Sequence, residues 1–174
     1  SANGASASDE QGGSVSISSD GLTLIVGSLG ADKVTNYAKD ENGKFNETSV
    51  KQPSNISATL GGFGDSVAYG KTWAAVGAPT TDTNRGAVFV YKRANNGDID
   101  VKQVIVPSIG AQNDEFGYSL AFSNDDRFLF VGSPGSDEVY CYHVYEQDAT
   151  EDNIATITAD GSSTTYALGF SPSG

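Results

Sequence analysis

The chain has 174 residues and a net charge of −12, because 22 carboxylates outnumber ten Lys and Arg side chains. Such a surplus of negative charge repels a phosphate backbone, so we expect no binding to nucleic acid. No stretch approaches the roughly 18 consecutive apolar residues that a membrane-spanning helix needs. One Cys and one His leave little material for a nucleophile–base pair. Composition therefore argues against several function classes without indicating one.

An internal repeat organises the chain. A first glycine marker recurs at intervals of 52, 53 and 52 residues, at Gly12, Gly64, Gly117 and Gly169. A second marker follows in the first three cases, at Gly27, Gly77 and Gly132. Two markers in step at one period indicate a repeat architecture. We place the repeats at about 9–61, 62–114 and 115–166, with the start of a fourth at 167–174.

Short strands and tight turns fill each repeat. In the second repeat, the alternation of apolar and polar residues predicts strands at 66–69, 72–78, 87–92 and 99–106. Asn42-Gly43 and Asn96-Gly97 fall between the third and fourth strands, where Asn-Gly is typical of a type I′ hairpin turn. Each repeat is therefore predicted to be a four-stranded antiparallel meander of the size of one propeller blade. The expected fold class is all-β, with no helical segment.

The motifs of these repeats resemble the FG-GAP repeat of integrin α-chain β-propellers. The similarity lies in Phe63-Gly64 with Val76-Gly77-Ala78-Pro79, and in Phe116-Gly117 with Val131-Gly132-Ser133-Pro134. The first repeat is degenerate, with Gln11-Gly12 at the first marker. The resemblance covers essentially the whole chain and implies a β-propeller, a fold that hosts many functions.

The resemblance also raises the question of calcium, which family members often bind through an Asp-rich loop between the first two strands. That loop is absent, and the corresponding turns offer one or two carboxylates each, whereas calcium takes six to eight oxygens. Asp40, Asn42 and Asn46 keep part of a calcium-loop spacing, but Ala38 stands where a third ligand is needed. We therefore expect no cofactor and no metal site, with calcium at this turn as the alternative.

Two surface features accompany the repeat. Asn46 and Asn55 begin N-glycosylation sequons, and the family resembled is usually extracellular, so we expect an extracellular or cell-surface location. The long loop between the second and third strands of repeat two is an expected interaction patch, because loops on a rigid scaffold often carry function. Its candidate residues are Thr80, Thr81, Asp82, Asn84 and Arg85.

Three repeats are too few to close a propeller, which needs roughly four to eight blades. An open arc leaves an apolar face and a strand edge exposed at each end. The chain is therefore expected to belong to a larger closed propeller, with a ring assembled from several copies of the chain as the alternative. The expected partners are further blades of the same polypeptide or other protein chains.

The sequence is compatible with three functions. The favoured interpretation is a non-catalytic module for protein interaction, adhesion or structural assembly, with no catalytic residues. The second is a carbohydrate- or ligand-binding propeller, although most aromatic residues fall on strands. The third is a hydrolase that uses paired carboxylates. Asp9-Glu10 and Asp114-Glu115 are such pairs, but they recur at one repeat position, which favours a structural role.

Overall fold

The computed structural model describes residues 9–53, 60–107, 110–144 and 153–158, which form three four-stranded antiparallel sheets. Blade one comprises β1 (Gln11–Ile17), β2 (Thr23–Ser28), β3 (Lys33–Lys39) and β4 (Phe45–Lys51). Blade two comprises β5 (Ser66–Tyr69), β6 (Trp73–Ala78), β7 (Ala87–Arg93) and β8 (Ile99–Ile105). Blade three comprises β9 (Ser119–Phe122), β10 (Phe128–Ser133), β11 (Glu138–His143) and β12 (Asn153–Thr158). The expected all-β class and the three blades are confirmed.

Helical geometry in these ranges is confined to single turns at Leu29–Ala31, Thr81–Asn84 and Pro134–Ser136. Even the middle one departs from a right-handed helix, since Asp82 and Thr83 take φ of 51° and 59°. None of the described residues forms a helix long and apolar enough to cross a membrane.

The strands of each blade follow one another in space in chain order. The first strands of neighbouring blades pack together, β1 on β5 and β5 on β9, which places them innermost. We call the end at which these inner strands begin the upper face; it carries the connections from second to third strands and from one blade to the next. The lower face carries the hairpins between first and second strands and between third and fourth strands.

Two apolar layers hold the three blades together. The layer between blades one and two contains Ile25 and Val34 from the first blade, with Phe63 and Phe89 from the second. Phe63 meets Phe89 edge to face, with ring centroids 5.0 Å apart. Because a buried Phe contributes about 1.5–3 kcal/mol by leaving water, this repeat-motif aromatic is a core residue of the blade interface.

The layer between blades two and three repeats that arrangement. Phe116 is fully buried and meets Tyr140 and Tyr142 edge to face, with centroids 5.2 and 6.1 Å away. Trp73 and Val90 of blade two pack into the same layer. Phe63 and Phe116, one repeat apart, therefore fill equivalent sites in successive interfaces.

The hairpins between third and fourth strands have the predicted positions but a different turn. Gly43 and Gly97 take φ of 82° and 80°, whereas Asn42 and Asn96 are not among the residues with positive φ. The Asp40 amide donates to Lys44 O and the Gly43 amide to Asp40 O, which closes a three-residue loop. A type I turn followed by a left-handed glycine fits this geometry, so the predicted type I′ turn is wrong.

Blades one and three each present one face without a described neighbour. On blade one, Val15, Ile17 and Val50 are 62%, 52% and 47% exposed. They lie on the side of their sheet that corresponds to Val67, Phe89 and Tyr91 in blade two, which faces blade one. This apolar face of blade one is a surface on which a further blade would pack.

Candidate functional site

The first strands are tied to the following blade by a repeated hydrogen bond. Ser14 Oγ donates to Gly64 O at 2.7 Å, and Ser66 Oγ donates to Gly117 O at 2.6 Å. Gly12, Gly64 and Gly117 take φ of 99°, 93° and 91°, a region that L side chains rarely adopt. The first glycine marker is thus a backbone turn whose carbonyl accepts the preceding blade's serine.

The second marker lies beneath that carbonyl. A Cβ on Gly27 would lie 2.0 Å from Gly64 O, and a Cβ on Gly77 would lie 2.0 Å from Gly117 O. Around Gly132, by contrast, the nearest atoms all belong to Ser119, the equivalent serine of blade three. Gly169, the fourth predicted marker, lies outside the described residues.

The paired carboxylates have structural partners. Asp9 forms an ion pair with Lys33 at 2.7 Å, and Asp114 Oδ2 accepts the Ala111 amide at 2.5 Å. Glu10 and Glu115 occupy equivalent turn positions with φ of 50° and 56°. The repeat therefore uses these residues to enter its inner strand, and a catalytic pair need not be invoked.

Asp65 stands out on the upper face because it breaks the repeat. It follows Gly64 directly, whereas Gly13 and Tyr118 stand at the equivalent positions of the other blades. The carboxylate is partly buried at the start of an innermost strand, and this burial raises its pKa above the usual range. Among the described residues no side chain pairs with it. A lone carboxylate with a raised pKa beside the central axis is suited to accept a proton.

Asp65 is not among the residues that the motifs indicate, although its position in the aligned repeats distinguishes it. Structural residues recur at each repeat, whereas a charged residue near the axis in one repeat alone requires another explanation. Its burial could not be inferred from the sequence, because it depends on how β5 packs between its neighbours.

The expected interaction loop lies on the upper face, next to the connection from blade two to blade three. Thr81 is 2% exposed and its hydroxyl exchanges hydrogen bonds with the Gly61 backbone. Arg85 Nε donates to Gly110 O at 2.7 Å, while its guanidinium pairs with Asp82 at 3.5 Å. Asn84 Nδ2 donates to Asn113 Oδ1 at 3.2 Å.

Much of this loop's polar capacity is therefore used within the molecule, while Thr80, Asp82 and Thr83 are exposed. Asp82, Thr83 and Asn84 take consecutive left-handed conformations with φ of 51°, 59° and 60°, each unfavourable by about 1–2 kcal/mol for an L residue. The hydrogen bonds to the blade-three connection offset that strain. A role in binding a partner stays a prediction.

On the lower face an ion pair links blades one and two. Arg93 donates to both oxygens of Asp20, at 3.0 and 2.6 Å, and to Thr23 Oγ1 at 3.1 Å. The hydrogen bonds from Arg93 hold the pKa of Asp20 well below its usual range. Asp126 of blade three similarly accepts the amides of Lys71 and Thr72 at 2.9 and 2.6 Å. Neither contact was predicted, because each joins residues more than 50 positions apart.

The first sequon residue lies in a satisfied hairpin. Asn46 Nδ2 donates to Asp40 Oδ2 at 2.8 Å, and the sequon's Thr48 accepts Asn36 Nδ2 at 2.7 Å. Asn46 is exposed, so attachment of sugar would cost these local contacts and not a core position. Asn55 lies outside the described residues. Glycosylation stays a prediction at both positions.

The residues considered for calcium binding lie in the same hairpin. Asp40 Oδ1 accepts the amides of Asn42 and Lys44, both at 2.9 Å, so its oxygens already stabilise the turn. Within the described ranges, no group of three or more His, Cys, Asp or Glu side chains is placed to hold a metal ion.

Comparison with known proteins gives the fold a wider context. The model of a family described as the FG-GAP repeat matches residues 58–91, which include the Phe63-Gly64 motif. None of the curated proteins matches the chain. The repeat assignment is supported over that segment, whereas kinship with integrin α-chains in particular is not.

Several solved structures with a similar fold are bacterial proteins named as lactonases. A Bacteroides fragilis protein assigned as a 6-phosphogluconolactonase is 11% identical, with a TM-score of 0.59 over 83% of this chain and 38% of its own. The periplasmic gluconolactonase of Pseudomonas aeruginosa is 17% identical, with a TM-score of 0.57 over 89% and 42%. A Bacteroides uniformis protein assigned as a 6-phosphogluconolactonase is 13% identical, with a TM-score of 0.59 over 82% and 40%. The chain thus spans about two fifths of their length.

These neighbours contradict the favoured function. The chain was expected to be a non-catalytic adhesion or assembly module and not an enzyme, because its repeat resembles that of integrin α-chains and because its sequence offers little material for a nucleophile–base pair or a metal cluster. Proteins named as lactonases share its fold, so the absence of those residue sets does not argue against catalysis. The expectation was wrong because a fold can host catalysis without any of these familiar sets of catalytic residues.

Proposed function

We propose that this chain supplies three blades of a lactone-hydrolysing propeller in which Asp65 is the general base. The observation that carries the proposal is the carboxylate itself: partly buried, unpaired among the described residues, and placed once, off the repeat pattern, at an inner strand. Support for the reaction class comes from the printed names of the structural neighbours. At 11–17% identity those neighbours support the fold directly and the chemistry only as a proposal.

The reaction suits a single carboxylate. Asp65 accepts a proton from water as the water oxygen attacks the ester carbonyl of the lactone, which gives a tetrahedral intermediate. Collapse of the intermediate breaks the bond to the ring oxygen, which takes up a proton and leaves as a hydroxyl. The product is a hydroxy acid. Since Asp65 must be ionised to act, the rate should fall as the pH drops through its raised pKa.

The test is hydrolysis of glucono-1,5-lactone by the intact protein, measured against spontaneous opening. We expect Asp65→Asn to lower kcat/KM by about 10²–10⁴-fold, the usual contribution of a general base. Glu10→Gln and Glu115→Gln are matched controls, as they remove carboxylates from the same face and should leave the rate unchanged. Full activity in Asp65→Asn would remove this residue's role, and no activity on any aldonolactone would overturn the function.

The remaining blades belong to the same proposal. In this proposal, further blades of the same polypeptide cover the outer faces of blades one and three. A closed propeller of four to eight blades, at about 52 residues each, has roughly 210–420 residues. From the resemblance to the integrin repeat, the proposal also includes an extracellular or cell-surface location and sugar on Asn46 or Asn55. Intact mass before and after N-glycan removal tests this part separately. A mass of 18.0 kDa that does not change on deglycosylation would contradict both points.

A further inference from the structure

Blade three carries one half of a blade junction. We call a blade junction the contact of a serine hydroxyl and a glycine of one blade with a backbone carbonyl in the opening turn of the next blade. Ser14 and Gly27 of blade one form it with Gly64 O. Ser119 and Gly132 are the equivalent residues of blade three, and both are more exposed than their counterparts in blade one. The atoms nearest to a Cβ on Gly132 all belong to Ser119, so the carbonyl partner of this junction is not among the described residues.

A second acceptor on blade three has the geometry of one that is used in blade one. The Phe63 amide, in the opening turn of blade two, donates to Asp32 Oδ1 at 3.0 Å. Asp32 follows the helical turn after β2 with φ 45° and ψ 50°, and Asp137 follows the equivalent turn after β10 with φ 56° and ψ 35°. The Phe116 amide likewise bonds to the connection of the preceding blade, at Arg85 O with 3.1 Å. A backbone amide is therefore a fitting partner for the Asp137 carboxylate.

Apolar side chains beside these two groups form what we call the open face of blade three, which consists of Phe130, Val139 and Cys141. They lie on the side of the sheet opposite Tyr140 and Tyr142, which pack against blade two. Phe130 and Val139 are partly exposed. The residues at their positions in blades one and two are fully buried beneath the next blade; they are Ile25, Val34, Ala75 and Val88. The open face therefore favours an apolar cover.

The sequence after blade three contains a segment that matches these features. Leu168-Gly169 stands at the repeat position of Phe63-Gly64 and Phe116-Gly117. Leu168 lies 10 positions after the end of β12, as Phe63 lies 12 positions after β4 and Phe116 lies 11 positions after β8. The chain between strand and marker thus has nearly the length that spans the two described interfaces.

Side-chain sizes also favour this segment. On the open face, Phe130 stands where blade one has Ile25, and on the segment, Leu168 stands where blade two has Phe63. Ile25 and Phe63 pack in one layer. A larger residue on one side is therefore matched by a smaller one on the other, and packed layers tolerate such volume-conserving exchanges best.

A second copy of the chain is the competing occupant, through the opening turn of its blade one. That turn offers Gly12 with a φ of 99°, but Gln11 stands at the position of Leu168. Gln11 Nε2 donates to Tyr37 OH at 3.3 Å. Placing this polar side chain on an apolar face costs free energy unless its hydrogen bonds are kept, so Leu168 is the better match.

We propose that Leu168-Gly169 docks on the open face of blade three in its own chain and begins a fourth blade. Ser119 Oγ donates to the carbonyl of Gly169, which lies over Gly132. The amide of Leu168 donates to the Asp137 carboxylate, and its side chain covers the open face. The docking specifies one contact of the larger propeller and is independent of the proposed hydrolysis.

The rate at which a maleimide labels Cys141 in the intact protein, followed by mass spectrometry, tests this docking. Cys141 is the single Cys of the chain, belongs to the open face and is 8% exposed. Leu168→Asp should raise the labelling rate about 10- to 100-fold, the factor that corresponds to the burial of one leucine side chain. Ser163→Asp is the matched control, because it adds the same charge within the polar run at 161–165 and should leave the rate unchanged.

Gly132→Ala tests the junction from the side of blade three. The new Cβ would lie 2.2 Å from Ser119 Oγ, and this hydroxyl can rotate away. If the Gly169 carbonyl lies over Gly132, the methyl group should displace it and raise the labelling rate of Cys141 at least about tenfold. Unchanged fluorescence of Trp73, which lies between blades two and three, shows in each variant that the described blades remain folded.

The possible results separate the occupants. Labelling rates of wild type and Leu168→Asp that agree within about twofold would overturn the docking, as would an unchanged rate in Gly132→Ala. Protection of Cys141 that grows with protein concentration, together with the mass of two copies in light scattering, would assign the open face to a second copy instead. None of these results bears on hydrolysis, which Asp65→Asn tests, so a failure of the docking and a failure of the proposed function are distinguishable.

Discussion

Replacing Gly77 by Ala should open the interface between blades two and three. The added Cβ would lie 2.0 Å from Gly117 O and 2.2 Å from Ser66 Oγ, whereas real Cβ atoms essentially never approach another heavy atom within 3.0 Å. The serine hydroxyl can rotate away, but the carbonyl belongs to the backbone of the next blade. The two blades must therefore separate by at least about 1 Å at this point.

The magnitude follows from two contributions. Overpacking of a tight interface usually costs about 1–3 kcal/mol. The displaced carbonyl also loses its 2.6 Å hydrogen bond from Ser66, worth about 1 kcal/mol. We therefore expect Gly77→Ala to lower the free energy of unfolding by about 3 kcal/mol, a large fraction of the stability of a domain.

Urea unfolding followed by tryptophan fluorescence measures this loss, because Trp73, the single Trp, lies in the affected layer. Gly13→Ala is the control, since its Cβ would meet only Glu10 O at an ordinary 3.4 Å and Gly13 does not have positive φ. If the two variants differed by less than about 1 kcal/mol, close approach of backbone to backbone would not be what requires glycine at this position.

Two further predictions concern the lower face. Arg93 depresses the pKa of Asp20 in the folded state. The ion pair therefore stabilises the fold fully above the unfolded-state pKa of about 4, and this stabilisation is lost as the pH falls through the lower folded-state pKa. As the pH falls from about 5 to about 3, the free energy of unfolding of the wild type should therefore decrease more than that of Asp20→Asn, by up to about 1 kcal/mol for a partly exposed pair. Urea midpoints across that range measure the difference. Parallel plots of midpoint against pH for the two proteins would contradict it. Asp126→Ala should cost about 1.5 kcal/mol and speed hydrogen exchange at the two amides it caps in blade two. Asp125→Ala, which disturbs only contacts within its own turn, should leave exchange in blade two unchanged.

The blades could be predicted from the sequence because their signals are local and repeated. The glycine markers, the strand alternation and the loop glycines each reflect backbone geometry within a few residues, and the three repeats present them at one period. The hairpin at Asn42-Gly43 shows the limit even here. The same dipeptide suits two turn types, and a loop one residue longer than a type I′ turn decides between them.

The candidate site could not be predicted in the same way. The burial of Asp65 depends on β1 and β9 packing on both sides of β5, and the Asp20–Arg93 pair joins residues 73 positions apart. The expected interaction loop illustrates the opposite error. Its length suggested an exposed patch, yet Thr81 and Arg85 use their polar groups to fasten the next blade.

The serine and glycine that meet between blades have a consequence for how such a chain grows. Each repeat carries a donor on its first strand and, on its second, a gap without a Cβ, while its own opening turn supplies the carbonyl that the previous repeat requires. A gene duplication that copies one repeat therefore copies both halves of the joint. The new blade is compatible with either neighbour from the outset, so the number of blades can change while each interface stays the same, and individual positions such as Asp65 remain free to diverge.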